Sequence, residues 1–255
     1  FIGRVLICAF LLVKGTCFAA GFNSDSLQLL VNHHRNDVEV VVKNLHLLVR
    51  GYLSQNKPDS ANIFLQQAMV TGSQLEDANL KGMTSYLEGK LYLMLMDYDR
   101  AMTCFIEADK VFKKAGLKKE HGLTEMQFGI LLYTQQNYKA AVDYFKSSNL
   151  LLENGKDTLN AITTKYLLGL TLTELGTFAD AERVLKESLM MCTRYGFMQR
   201  AMESRMGLAE LYLRMNRNEE SMHEAGIALD YYGSVEEEGT GNQSGKARAE
   251  FIIGK

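Results

Sequence analysis

The stretch YLEGKLYLMLMDYDRAMTCFIEA, residues 86–108, decides the fold because it recurs. Forty residues on, residues 126–148 read MQFGILLYTQQNYKAAVDYFKSS, and residues 166–188 read YLLGLTLTELGTFADAERVLKES. Gly89, Gly129 and Gly169 superpose, and the same step reaches Val49 backward and Ala209 forward. Three residues after this small position stand Tyr52, Tyr92, Leu132, Leu172 and Tyr212; nine further on come Ala61, Ala101, Ala141, Ala181 and Ser221. Two more columns keep step, Leu65, Phe105, Phe145, Leu185 and Ala225, then Ala68, Ala108, Ser148, Ser188 and Ala228. Small and large residues three and four apart share one helical face, so each unit holds two amphipathic helices. The turns between them read QNKPD, MDYD, QQNYK, LGTF and RMNRN. Two helices approach closely only where side chains are small, which predicts that Gly or Ala of the first helix meets Ala of the second. A Leu at Ala141 would then overpack that contact by roughly 1 to 3 kcal/mol.

Composition agrees. The 255 residues include Pro 1 and Trp 0, and 47% are hydrophobic against 23% charged. A chain with one proline has few helix breakers and little of the punctuation a sheet needs, which indicates an all-α protein. The formal charge of −2 offers no basic field for nucleic acid.

Gly89, Tyr92, Ala101, Phe105 and Ala108 fall at the spacings of the tetratricopeptide repeat, and the other four copies resemble it with partial substitutions. The resemblance implies a right-handed superhelical solenoid of antiparallel helix pairs over residues 36–233, about five full repeats plus a partial sixth. The usual unit has about 34 residues. Here the extra length lies in KKAGLKKEHG, ENGKDTLN and RYGFMQRA, which join one unit to the next. A HEAT-type helical repeat also fits a period of about 40, without requiring the small-aromatic-Ala spacing.

The start, FIGRVLICAFLLVKGTCFAAG, has a cation at Arg4, an apolar run over residues 5–13 and small residues at Ala19 and Ala20, so residues 1–20 read as a signal peptide. Export places the protein on the periplasmic side of a bacterial inner membrane; without a leader it is cytoplasmic. A helix over residues 24–35 follows. This front is similar to the exported part of bacterial histidine kinases and transcription regulators that carry tetratricopeptide sensor regions. At the other end, residues 234–245 read as a flexible loop and residues 246–255 as the start of a sixth repeat cut short, with Gly254 in the small position. The terminal Gly-Lys lacks the preceding strand and the G-x-x-x-x-G-K-[ST] spacing of a phosphate loop.

Catalytic and metal motifs are missing from the sequence. His33 and His34 are adjacent and in a helix diverge by about 100°, and no third ligand is spaced to join them. No H-E-x-x-H, G-x-S-x-G or C-x-x-C occurs, and Cys104 and Cys192 are isolated. The sequence therefore reads as non-catalytic, with no metal and no cofactor.

What remains is surface. In tetratricopeptide arrays the first helices line a groove, and the resemblance implies that it is faced by residues three before and one, four and five after the small position. The partner-binding candidates so selected are Arg50, Tyr86, Lys90, Met94, Met126, Ile130, Tyr133, Tyr166, Leu170 and Met206. Met adapts to irregular partners and Tyr adds area with a polar tip, so the expected partner is a protein or peptide with an apolar face. The alternative is that these side chains pack on the facing helices or on the chain's own termini. The carboxylate clamp for chaperone tails is not matched, because apart from Arg50 and Lys90 its columns hold Ile, Leu, Glu and Thr. Three roles follow: the sensor or interaction region of a longer signalling protein, a stand-alone exported adaptor, or a small-molecule-binding helical repeat. Membrane tethering would come through sequence beyond residue 255.

Overall fold

The computed structural model describes residues 23–34, 37–237 and 243–254, all of them in helices and the short turns between. The expected signal peptide lies outside the described residues. The helices in chain order are α1 (Ser24–His33), α2 (Val38–Ser54), α3 (Pro58–Thr71), α4 (Ala78–Met94), α5 (Tyr98–Ala115) and α6 (Lys118–Thr134), then α7 (Tyr138–Asn154), α8 (Thr158–Leu175), α9 (Phe178–Tyr195), α10 (Met198–Arg214), α11 (Asn218–Glu237) and α12 (Gln243–Ile253).

The chain divides into two compact units, Phe1–Thr134 and Gln135–Lys255. In the first, each helix from α1 to α6 packs on the next, and the first helices of successive repeats also meet, α2 on α4 and α4 on α6. In the second, α7 to α12 pack in sequence and α8 meets α10, which meets α12. This stacking of helix pairs, each touching its neighbours, is the architecture the repeat predicts.

The forty-residue period extends to the backbone. The residue seven after each small position turns left-handed: Asn56, Met96, Gln136, Gly176 and Asn216 all have positive φ. Gly116, Lys156 and Gly196, again forty apart, do the same between repeats. Side-chain caps recur as well, with Asp77 accepting from the Leu80 amide at 2.8 Å, Asp97 from Arg100 at 3.1 Å and Asp157 from Asn160 at 3.2 Å. The residues beyond the usual unit are mostly helical rather than loop. Only residues 116–117 separate α5 from α6 and only 196–197 separate α9 from α10.

One packing expectation is corrected. Gly89 faces Phe105, not an alanine: a Cβ on Gly89 would lie 2.6 Å from Phe105 Cε1. Gly169 likewise faces Leu185, with 2.5 Å left for a Cβ, and Gly82 faces Phe112 at 2.5 Å. The small residues receive the large residue of the second helix, while the alanines at 101, 141 and 181 are themselves fully buried. Gly82 precedes Gly89 by seven residues and Phe112 follows Phe105 by seven, as an antiparallel pair in register requires. At the C-terminal end, α11 continues to Glu237, past the position where the sequence placed the start of a loop. Residues 238–242 lie outside the described residues.

Candidate functional site

The ten candidates lie on the first helices, seven of them buried and three partly exposed. Tyr86, Met126, Ile130, Tyr133, Tyr166, Leu170 and Met206 are buried, from 0% exposed at Met206 to 7% at Met126. Arg50, Lys90 and Met94 are partly exposed. Most of the ladder expected to face a partner is thus buried, and the accessible candidates are the two cations and Met94.

In the first unit α2 and α4 bring His46, Arg50, Thr84 and Lys90 together. The Thr84 hydroxyl donates to the Leu80 carbonyl at 3.0 Å, so the His46 Nε2–H, 2.8 Å away, donates to Thr84 Oγ1. Burial, and then the neighbouring Arg50 charge, hold His46 at about 4, so its ring is neutral near pH 7. The Arg50 guanidinium donates to Met83 Sδ at 2.9 Å. Burial and Arg50 likewise bring Lys90 down to about 8. Gln127 on α6 donates to the Tyr86 phenol at 3.2 Å, which fixes that ring in the stack.

In the second unit the charges on the corresponding face close on one another. Arg248 on α12 donates to Glu210 Oε1 at 2.6 and 3.2 Å, and Arg214 on α10 pairs with Glu174 on α8. Arg200 reaches the buried Glu203 at 2.6 Å. Tyr166, enclosed nearby, has its phenol pushed up to about 12 by burial.

Among the described residues one group of imidazole and carboxylates has ligand-type atoms close together, Asp109 on α5 with His121 and Glu125 on α6. His121 Nε2 lies 3.3 Å from Asp109 Oδ1 and 3.1 Å from Glu125 Oε1. Lys113 already sets its ammonium 2.7 Å from Asp109 Oδ2 and 3.7 Å from Glu125 Oε1, so the group closes as an ion-pair network. The thiols are ordinary core groups: Cys104 and Cys192 are buried and free, and burial raises both, Cys104 to about 12. A cleft of about 240 Å³ lined by Val42, Ala68, Gly72, Leu80 and Thr84 is smaller than a typical ligand pocket of roughly 300 Å³ upward. No helix among the described residues is long and apolar enough to cross a membrane.

No family model matches the chain, and no curated protein matches it. Solved structures do. BtubC (BKLC) from P. vanneervenii superposes with a TM-score of 0.68 at 14% identity, covering 83% of this chain and 87% of that one. A signal transduction ATPase with numerous domains from Pyrococcus horikoshii, which carries a tetratricopeptide repeat sensor, gives 0.62 at 12% identity over 85% of this chain and 36% of that one. The fold is that of a tetratricopeptide-like repeat protein. A third tetratricopeptide-like match, the Rap conjugation gene regulator of the plasmid pLS20 in complex with a peptide, gives 0.54 at 13% identity, covering 80% and 63%.

The sequence reading overlooked one set of residues on this face. Thr84, Thr124, Thr164 and Ser204 stand forty apart, five before the small position, and each donates to the carbonyl four residues back, at 3.0, 3.0, 2.9 and 3.1 Å. Ser188 and Ser204 also meet across α9 and α10 at 2.9 Å. The same forty-residue period that revealed the glycines marks this column of small polar residues.

Proposed function

We propose that the chain is a non-catalytic scaffold that binds a protein or peptide along the face built from its first helices. The observation that carries this reading is the stacking of those helices, α2 on α4 on α6 in one unit and α8 on α10 on α12 in the other. In each unit the stack gives a continuous, preorganised strip in which buried Met and Tyr hold a polar edge in place. A peptide bound to a tetratricopeptide-like regulator of the same fold supports it. Affinity selection on the folded chain from a displayed library of random dodecapeptides, followed by calorimetric titration, tests it. Saturable 1:1 binding is expected, and no sequence retained above background contradicts it. Met126 and Tyr133 are unsuitable probes, because substitution of buried side chains reports stability before binding.

The context we propose is the sensor or interaction region of a longer, exported bacterial signalling protein, motivated by the leader-like residues 1–20 and by a tetratricopeptide sensor among the structural counterparts. Determining the full reading frame tests this. A downstream transmembrane helix with a kinase or DNA-binding domain supports it; a stop codon soon after Lys255 contradicts it and leaves the stand-alone adaptor.

A further inference from the structure

We infer that Arg50 and Lys90 form a two-cation subsite that takes an acidic side chain of the bound peptide; this rests on the peptide-binding reading above. The two residues occupy the same column, one after the small position, on α2 and α4, which pack against each other. Like charges are therefore set side by side on the partly exposed edge of the first unit. Among the described residues neither has a carboxylate partner. The hydrogen bond of the Arg50 guanidinium goes to the thioether of Met83 at 2.9 Å, a weak acceptor for a full charge. The other polar groups beside them are neutral and engaged, His46 with Thr84 and Tyr86 with Gln127.

The second unit shows what the same face does when its charges are satisfied internally. The column that carries Lys90 carries Glu210 there, and Glu210 holds Arg248; five after the small position, Glu174 holds Arg214. Lys165, Arg200 and Arg205, also partly buried, each have a carboxylate within 3.5 Å. A partly buried cation pair without a counter-ion lowers stability, and burial together with Arg50 accordingly depresses the Lys90 ammonium to about 8. One carboxylate neutralises the pair: the planar guanidinium offers it two parallel N–H donors and the ammonium a third. Met94, partly exposed four residues after Lys90, supplies an adaptable apolar contact beside the charge. The occupant is thus an acidic residue of a peptide with an apolar neighbour, not nucleic acid, for which a chain of net charge −2 offers no extended basic field.

The test uses the whole chain and synthetic dodecapeptides in matched pairs, identical except that one position is Glu or Gln. Fluorescence anisotropy compares the wild type with the Arg50→Gln, Lys90→Gln double variant, whose fold is checked by circular dichroism and thermal melting. On the wild type the Glu member of each binding pair should bind at least about tenfold tighter, an advantage that shrinks with added salt. On the double variant the advantage should vanish while the Gln members bind as before. The single variant Lys90→Met, which removes an unneutralised charge and should melt no lower than the wild type, should show a reduced Glu advantage. Equal binding within pairs on the wild type overturns the subsite and leaves peptide binding standing. A Glu advantage that persists in the double variant, or Gln members weakened with it, overturns the assignment to these residues. Failure of every peptide to bind overturns the peptide-binding reading itself.

Discussion

Gly89 on α4 receives the Phe105 ring of α5, as Gly169 on α8 receives Leu185 of α9. A methyl on Gly89 would sit 2.6 Å from a ring that is 0% exposed, so the ring or the helix must shift. Gly89→Ala should cost about 1 to 3 kcal/mol despite the better helix propensity of alanine, measured by urea unfolding. His46 gives a second handle. Its folded value of about 4 lies below the unfolded 6.5, so below pH 6.5 the unfolded chain takes up a proton that the folded chain refuses. Stability therefore falls as pH drops from 6.5 toward 4, by up to roughly 1.4 kcal/mol per pH unit. In His46→Gln, which keeps a donor for Thr84, this contribution should be absent, as unfolding free energies of the two proteins at pH 7 and pH 5 will show.

The helices were legible from the forty-residue period, because small and large columns at helical spacing leave little freedom in how the segments pair. Their ends were less so. The residues that join repeats read as connectors, yet left-handed Gly116, Lys156 and Gly196 let α5, α7 and α9 run almost to the start of the next helix. Asp77 marks one such start, and Asp77→Ala should cost about 1 kcal/mol by leaving the Leu80 amide without its side-chain acceptor, read as a lower thermal midpoint. The site was legible only in part for a specific reason. In α6 residues 122–131 are buried on every side of the helix, so no periodicity there separates a groove column from a core column. The repeat resemblance assigned Met126 and Ile130 to the groove by register alone, whereas the helix has no solvent face in that stretch. The charged columns were better markers, since Arg50 and Lys90 keep contact with solvent wherever the backbone packs.

Corresponding columns of the two units carry their charges differently, with internal ion pairs in the second and a cation pair without a carboxylate in the first, and in each unit the first helices stack on one another. If the protein is a repeat scaffold that binds along those helices, ligand contact must be confined to one helix of each pair. Hydrogen–deuterium exchange of the whole chain, free and saturated with the tightest dodecapeptide of the matched panel, reads this directly. Slowed exchange in α2 and α4, with α3 and α5 unchanged, is the predicted result; protection confined to the second helices, or none at saturation, would contradict it.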